Sequence, residues 1–273
     1  MSRLQGLFER LGESGRSALT TYIAAGDPQP DVTVDALHTL VKSGAEILEI
    51  GVPFSDPMAD GPVIQKACER ALVHDVSLND VIEMVAEFRR TDSETPIVLM
   101  GYMNPIEAMG AEDFAAAAGA AGVDGVITVD LPPDASEALI PALQNAAIDP
   151  VFLVSPTTTE ERVKQIAAVA SGFIYYVSLK GVTGANTLDV DDVDARLQDV
   201  RRHTDLPLGV GFGISDANAA AAVSAVADAV VVGSAVVNRM ANNAADKAAL
   251  LTEIGDFVSG LRRAMDAAAQ TSV

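Results

Sequence analysis

Short apolar runs recur along the chain, each followed by a segment in which apolar residues return every three or four positions. The runs read ALTTYIAAG (18–26), EILEIG (46–51), PIVLMGY (96–102), GVITVDL (125–131), DPVFLVS (149–155), GFIYYVS (172–178), PLGVGFG (207–213) and AVVVGSA (229–235). Between them, segments such as PDVTVDALHTLVKSG and EERVKQIAAVASG carry the spacing of one helix face. Near-continuous apolar strands alternating with amphipathic helices predict a parallel sheet covered on both faces. Eight such units predict a (β/α)8 TIM barrel, closing as a single domain over residues 1–273. A doubly wound open sheet is the alternative. No GxGxxG follows an early strand, which argues against its dinucleotide-binding form. The opening LQGLFERLGESG predicts an extra N-terminal helix before the first strand. Alanine-rich stretches such as AEDFAAAAGAAG read as helices packed closely on the barrel, since alanine is the best helix former.

Charge narrows the range of partners. The chain holds 38 acidic and 18 basic residues, a net charge of −20. That excess argues against a nucleic-acid or anionic-membrane surface. An apolar content of 49% together with clear periodicity excludes a disordered acidic protein. The acid excess reads instead as the halophilic habit of a folded protein in a salty cytoplasm, where salt screens self-repulsion. No apolar run is long enough to span a membrane, and the polar N-terminus lacks the apolar core of a signal peptide. A single cysteine, Cys68, forms no internal disulfide, so a reducing cytoplasm is the expected location.

Candidate chemistry follows from the barrel, because catalytic groups gather at the C-terminal ends of its strands. In LEIGVPFSDPMADG (48–61) a carboxylate, Glu49, sits inside an apolar strand, on the same face as Ile47. Pointing inward, it is desolvated, and burial raises a carboxyl pKa toward the range of a proton donor and acceptor at neutral pH. Pointing outward, it is a rim residue bonded to a helix or an arginine. Asp60 follows a loop stiffened by Pro53 and Pro57. It is either a second carboxylate facing Glu49 or, on local evidence, an N-cap ahead of Gly61 and Pro62. The runs GVGFGIS and VVVGSAVV place Gly213, Gly233 and Ser234 after strands seven and eight, the usual phosphate site of such barrels. The alternative is that these glycines serve tight turns alone. KGVTGANT adds Gly181 and Gly184 in a loop able to close over a ligand. Tyr175 and Phe212 fall at strand ends, as pocket walls or as core. His38, His74 and His203 form no metal-ligand cluster with Cys68, so no metal is expected.

These residues carry a resemblance as well. LEIGVPFSDPMADGPVIQ resembles the signature of the tryptophan synthase alpha chain family, and TYIAAGDP, LMGYMNPI, YYVSLKGVTGA, GVGFGIS and VVVGSAVV extend the likeness over nearly the whole chain. The resemblance implies a lyase that cleaves indole-3-glycerol phosphate to indole and glyceraldehyde 3-phosphate in tryptophan biosynthesis. It implies no cofactor in this chain, and a beta chain carrying pyridoxal phosphate that receives the indole in an α2β2 heterotetramer. Glu49 then matches the proton-transfer carboxylate and Asp60 the carboxylate that accepts the indole N–H. Thr183 matches the lid residue that bonds this aspartate. Gly184, Gly213, Gly233 and Ser234 match phosphate-binding positions, and Tyr22, Met100, Ile127, Tyr175 and Phe212 an apolar indole pocket. Pro53, Phe54, Asp56 and Asn104 match the face that docks the beta chain. Val129 departs from the family's usual proline, and Leu179 and Lys180 stand at variable lid positions. The rival readings are a sugar-phosphate isomerase or epimerase, and a non-catalytic activator of a beta chain.

Overall fold

A computed structural model describes residues 2–178, 189–211 and 213–271. Eight parallel strands close into a barrel in sequence order. They are β1 (Ala18–Ala24), β2 (Ile47–Gly51), β3 (Ile97–Gly101), β4 (Gly125–Thr128), β5 (Asp149–Val154), β6 (Ile174–Val177), β7 (Leu208–Gly211) and β8 (Ala229–Val232). Each lies within one of the apolar runs read from the sequence, and helices cover the outside. The open-sheet alternative is excluded, because β8 pairs with β1 through Ala18↔Ala229 to Thr21↔Val232.

Strand alternation sorts the side chains into two cores. Outward residues such as Leu19, Ile23, Leu48, Ile50, Ile97 and Leu99 pack under the helices in the larger cluster. Inward residues Ala18, Ile47, Val98, Ile127, Val151, Phe173 and Ala229 form a second cluster inside the barrel. The expected N-terminal helix forms at Arg3–Glu13, and its Leu4, Leu7, Phe8 and Leu11 belong to that inner cluster. It therefore plugs the N-terminal mouth of the barrel. Gly125 and Gly172 make room for it, since a β-carbon at either would lie 3.1–3.2 Å from Leu4 Cδ1.

The same end is pinned by carboxylates in the turns that lead into strands. Glu46, just before β2, accepts the Leu19 N–H of β1 at 2.9 Å. Asp124, before β4, accepts the Ile97 N–H of β3 at 2.8 Å, and Asp228, before β8, accepts the Leu208 N–H of β7 at 2.7 Å. Each reaches back to the preceding strand and is gripped by arginine. Arg16 and Arg262 hold Glu46, Arg3 and Arg89 hold Asp124, and Arg201 holds Asp228. Because Arg3 belongs to the plug helix, Asp124 ties plug, strand and outer helix together at once.

Removing the Asp124 carboxylate leaves an unpaired strand N–H and takes the close carboxylate partner from two arginines, the largely buried Arg89 keeping the Gly122 and Thr95 carbonyls and Arg3 that of Ser93. Asp124→Ala is expected to cost about 3–5 kcal/mol of unfolding free energy, the range for breaking a buried ion pair from one side. Urea denaturation checks this, and a loss below about 1 kcal/mol would show the cluster to behave as a solvated surface pair.

Candidate active site

At the C-terminal mouth, β2 delivers Glu49 to the barrel interior, where it is 1% exposed. The rim alternative is thereby excluded. Its register neighbours are Tyr22 on β1 and Val98 on β3. Oε2 is fully buried and has no hydrogen-bond partner among the described residues. Desolvation first, and the nearby Asp60 charge second, push the Glu49 carboxyl up to about 8. At neutral pH the group holds its proton.

Asp60 follows β2 in a turn closed by its own N–H to the Pro57 carbonyl at 3.1 Å and by Gln65 Nε2 to the Asp60 carbonyl at 2.9 Å. The N-cap reading of Asp60 is corrected by this geometry. The helix Pro62–Leu72 is capped by the backbone of Gly61, with Pro62 at its first position. The Asp60 carboxylate turns inward instead and accepts the Tyr102 hydroxyl at 3.0 Å. Tyr102 in turn accepts the Ala59 N–H at 3.0 Å and stacks on Phe54 with ring centroids 5.1 Å apart. Burial raises the Asp60 carboxyl while the Tyr102 hydrogen bond lowers it. Asp60 is half-buried, whereas Glu49 is enclosed.

Tyr102 escaped the sequence reading. Its signal was available: it stands two residues beyond Met100 at the end of β3, the face that alternation turns toward the mouth. A second missed feature is the fully buried Asp27, which accepts both Arg70 Nε at 2.6 Å and Nη2 at 2.8 Å. That bidentate pair ties the loop after β1 to the helix carrying Cys68, and so fixes the helix that follows Asp60.

The expected pocket residues divide. Tyr22, Met100, Ile127 and Tyr175 all face the interior, with Met100 and Ile127 paired across β3 and β4. Tyr175 lies beside Glu49, over Gly211, where a β-carbon would collide with its hydroxyl. Gly213 follows β7 at φ 85°, in the left-handed region that favours glycine. Gly233 precedes the helix Ser234–Asn242 with no side-chain cap, so the first N–H groups of that helix face the mouth unpaired by a side chain. Thr183, Gly184 and Phe212, with Leu179, Lys180 and Gly181, lie outside the described residues. Cys68 is buried on its helix face, with burial pushing the thiol up to about 11. Among the expected docking residues Pro53 is buried, Phe54 partly so, and Asp56 and Asn104 are exposed.

This arrangement has close counterparts. A family model described as tryptophan synthase alpha chain matches residues 8–266. The chain belongs to the tryptophan synthase alpha chain family. It is 60% identical over 266 residues to the tryptophan synthase alpha chain of Thioalkalivibrio sulfidiphilus, covering 97% of this chain and all of that one. The alpha chain of Marinobacter nauticus is 56% identical over 269 residues, covering 98% and 100%. A crystal structure of tryptophan synthase subunit alpha from Legionella pneumophila superposes with TM-score 0.92 at 44% identity, covering 98% of this chain and 99% of that one. As a tryptophan synthase alpha chain it is a lyase that cleaves indole-3-glycerol phosphate to indole and glyceraldehyde 3-phosphate in tryptophan biosynthesis.

The Glu49 carboxyl makes stability depend on pH. The unfolded chain ionises it near 4.5 and the folded chain only at about 8, so the folded state binds the extra proton in between. Stability from this group is full below 4.5 and is lost as pH rises toward 8. Glu49→Gln keeps the protonated shape and has no proton to lose. The variant is therefore expected to gain on wild type by about 1.4 kcal/mol per pH unit across that window. Chemical denaturation at a series of pH values reads the gap, and a gap independent of pH would mean that Glu49 ionises normally in the fold.

Proposed function

We propose that Glu49 performs both proton transfers of the cleavage and that Asp60 stabilises the charge that develops on the indole. The observation that carries this is the buried, inward, still-protonated Glu49 carboxyl beside a half-buried Asp60 held by Tyr102. In the first step protonated Glu49 gives its proton to C3 of the indole ring. The ring nitrogen gains positive charge, and the Asp60 carboxylate accepts its N–H. Glu49, now a carboxylate, takes the proton of the glyceryl hydroxyl. The O–H electron pair becomes the aldehyde C=O, the carbon–carbon bond breaks, and its electrons restore the aromatic indole. Glu49 ends protonated, as it began.

The remaining residues support the binding of such a substrate. Gly213, Gly233 and Ser234, with Gly184 of the loop after β6, form the phosphate cradle, using N–H groups at a helix start. Tyr22, Met100, Ile127 and Tyr175 wall the indole. The chemistry requires proton transfers only, and carboxyl groups supply them, so the chain works without a cofactor of its own. The whole chain, 1–273, acts as one domain in the cytoplasm, and no helix among the described residues is long and apolar enough to cross a membrane. Indole passes to a beta chain carrying pyridoxal phosphate in an α2β2 assembly. The loop after β2 supports that docking: Ser55, Asp56 and Ala59 are exposed, and Met58 is 80% exposed, while Phe54 links the loop to Tyr102 and hence to Asp60.

Indole release from indole-3-glycerol phosphate, with and without a matched beta chain, tests the roles. Glu49→Gln is expected to lower kcat by about 10²–10⁴-fold, the range for a general acid–base group. Asp60→Asn is expected to lower it by about 10²–10³-fold, as for one preorganised electrostatic partner. Wild type that stays inert while still activating the beta chain would sink the assignment and leave a regulatory subunit.

A further inference from the structure

Tyr22 has been read so far as one wall of an apolar pocket, and its hydroxyl does not fit that description. The residue sits on β1 directly beside Glu49 of β2, facing the same interior. One end of its side chain lies against the loop after β8: a β-carbon at Gly233 would stand 3.5 Å from Tyr22 Cβ and 3.7 Å from Cγ. The other end lies over Gly51, where a β-carbon would collide with Oη and come within 2.6 Å of Cζ. Gly51 is two residues beyond Glu49 on the same face of β2, so the hydroxyl occupies the level just above the carboxyl, on the mouth side. The polar groups around it are Cys68, Asp60, Glu49 and Tyr102. None of them bonds it: no hydrogen bond to Tyr22 Oη occurs among the described residues. The residue is only 6% exposed, so the ring is enclosed and its hydroxyl is free to meet a ligand at the mouth.

We propose that the Tyr22 hydroxyl is a catalytic group, donating a hydrogen bond to the substrate's glyceryl oxygen at the carbon released from the indole. The inference rests on the roles proposed above for Glu49 and the phosphate loops. A substrate with its phosphate at Gly233 and Ser234 and its ring C3 at Glu49 must run its glyceryl segment between them. Tyr22 is the side chain that spans that interval, with its hydroxyl at the carboxyl end. As Glu49 removes the proton from this oxygen, negative charge builds there before the C=O forms. A donor already in position stabilises that charge most in the transition state. Burial holds the phenol well above its ordinary range, so it stays protonated as a donor. Gly51 has a corresponding role, since any side chain there would push the hydroxyl out of place.

Tyr22→Phe removes one oxygen and keeps the ring, so it separates the two readings. Two ligands are compared on the purified chain and on its complex with a beta chain: indole-3-glycerol phosphate, and indole-3-propyl phosphate, which has the same ring and phosphate but no hydroxyls. The variant is expected to lose about 3- to 12-fold in kcat/KM for the glycerol phosphate, the worth of one neutral hydrogen bond. Its inhibition constant for the propyl phosphate is expected to match wild type. Unchanged kcat/KM, or an equal loss for both ligands, would overturn the proposal and return Tyr22 to a plain wall. Gly51→Ala displaces the hydroxyl while keeping the phenol, and is expected to show the same selective loss. It decides the matter should Tyr22→Phe fail to fold. Glu49→Gln, run alongside, distinguishes the failures: an active Glu49→Gln enzyme sinks the acid–base reading itself, whereas an inactive one with fully active Tyr22→Phe sinks only this inference.

Discussion

A carboxyl group enclosed by hydrocarbon keeps its proton, and the site is organised around that fact. Desolvation is the largest influence on Glu49. It operates because the barrel beneath is filled rather than hollow. Ile47, Val98, Val151 and Phe173 occupy the interior, and Leu4, Leu7, Phe8 and Leu11 seal it from the opposite end. Water reaching the carboxyl from below would restore ordinary acidity. The N-terminal helix, far from the mouth, is thus part of the electrostatic arrangement. The Arg–carboxylate clusters that fasten it and the strand starts serve the same end.

Seating aromatic rings around that carboxyl requires space, which glycine supplies. Tyr22 lies over Gly51, Tyr175 over Gly211, and Phe173 against Gly209, where a β-carbon would be 3.2 Å from the ring. In each case a large inward side chain on, or just before, one strand faces a missing side chain on a neighbouring strand. This pairing lets bulky groups lie across the barrel instead of standing upright in its mouth. The consequence is a floor of rings and methyl groups at the level of Glu49, dry enough to hold a neutral acid.

Much of this is legible in the sequence, and the boundary follows from physics. The eight strands are legible because strands buried on both faces must be continuously apolar, and Glu49 stands out because it interrupts such a run. The N-terminal helix is legible as an element from its apolar spacing. Its destination is not, since Leu4 and Phe8 look the same whether they pack outside a barrel or inside it. Asp60 is the instructive failure of local reasoning. An aspartate before Gly-Pro at a helix start scores as a cap, but the backbone of Gly61 takes that position and tertiary contact with Tyr102 claims the carboxylate. The bond from Tyr102 to Asp60 and the Asp27–Arg70 pair were invisible for a related reason. Their partners lie 42 and 43 residues away in sequence, and no periodicity relates them. Cross-strand glycine–tyrosine pairing depends on register, which the sequence of one strand does not contain.

The two carboxyls meet different surroundings, and the proposed reaction has use for that difference. Glu49 is enclosed and unpartnered, whereas Asp60 is half-buried and bonded by a phenol. Two negative charges so close repel, so an ionised Asp60 helps keep Glu49 protonated. Under the proposed roles the balance survives the first step. When Glu49 gives its proton to the ring it becomes an anion, but the ring becomes a cation held by Asp60. The net charge in the dry cavity does not change. A site of low dielectric tolerates charge poorly when it is added and well when it is only redistributed. On the proposed roles, that tolerance is what lets a single buried glutamate act first as acid and then as base without a second titrating group.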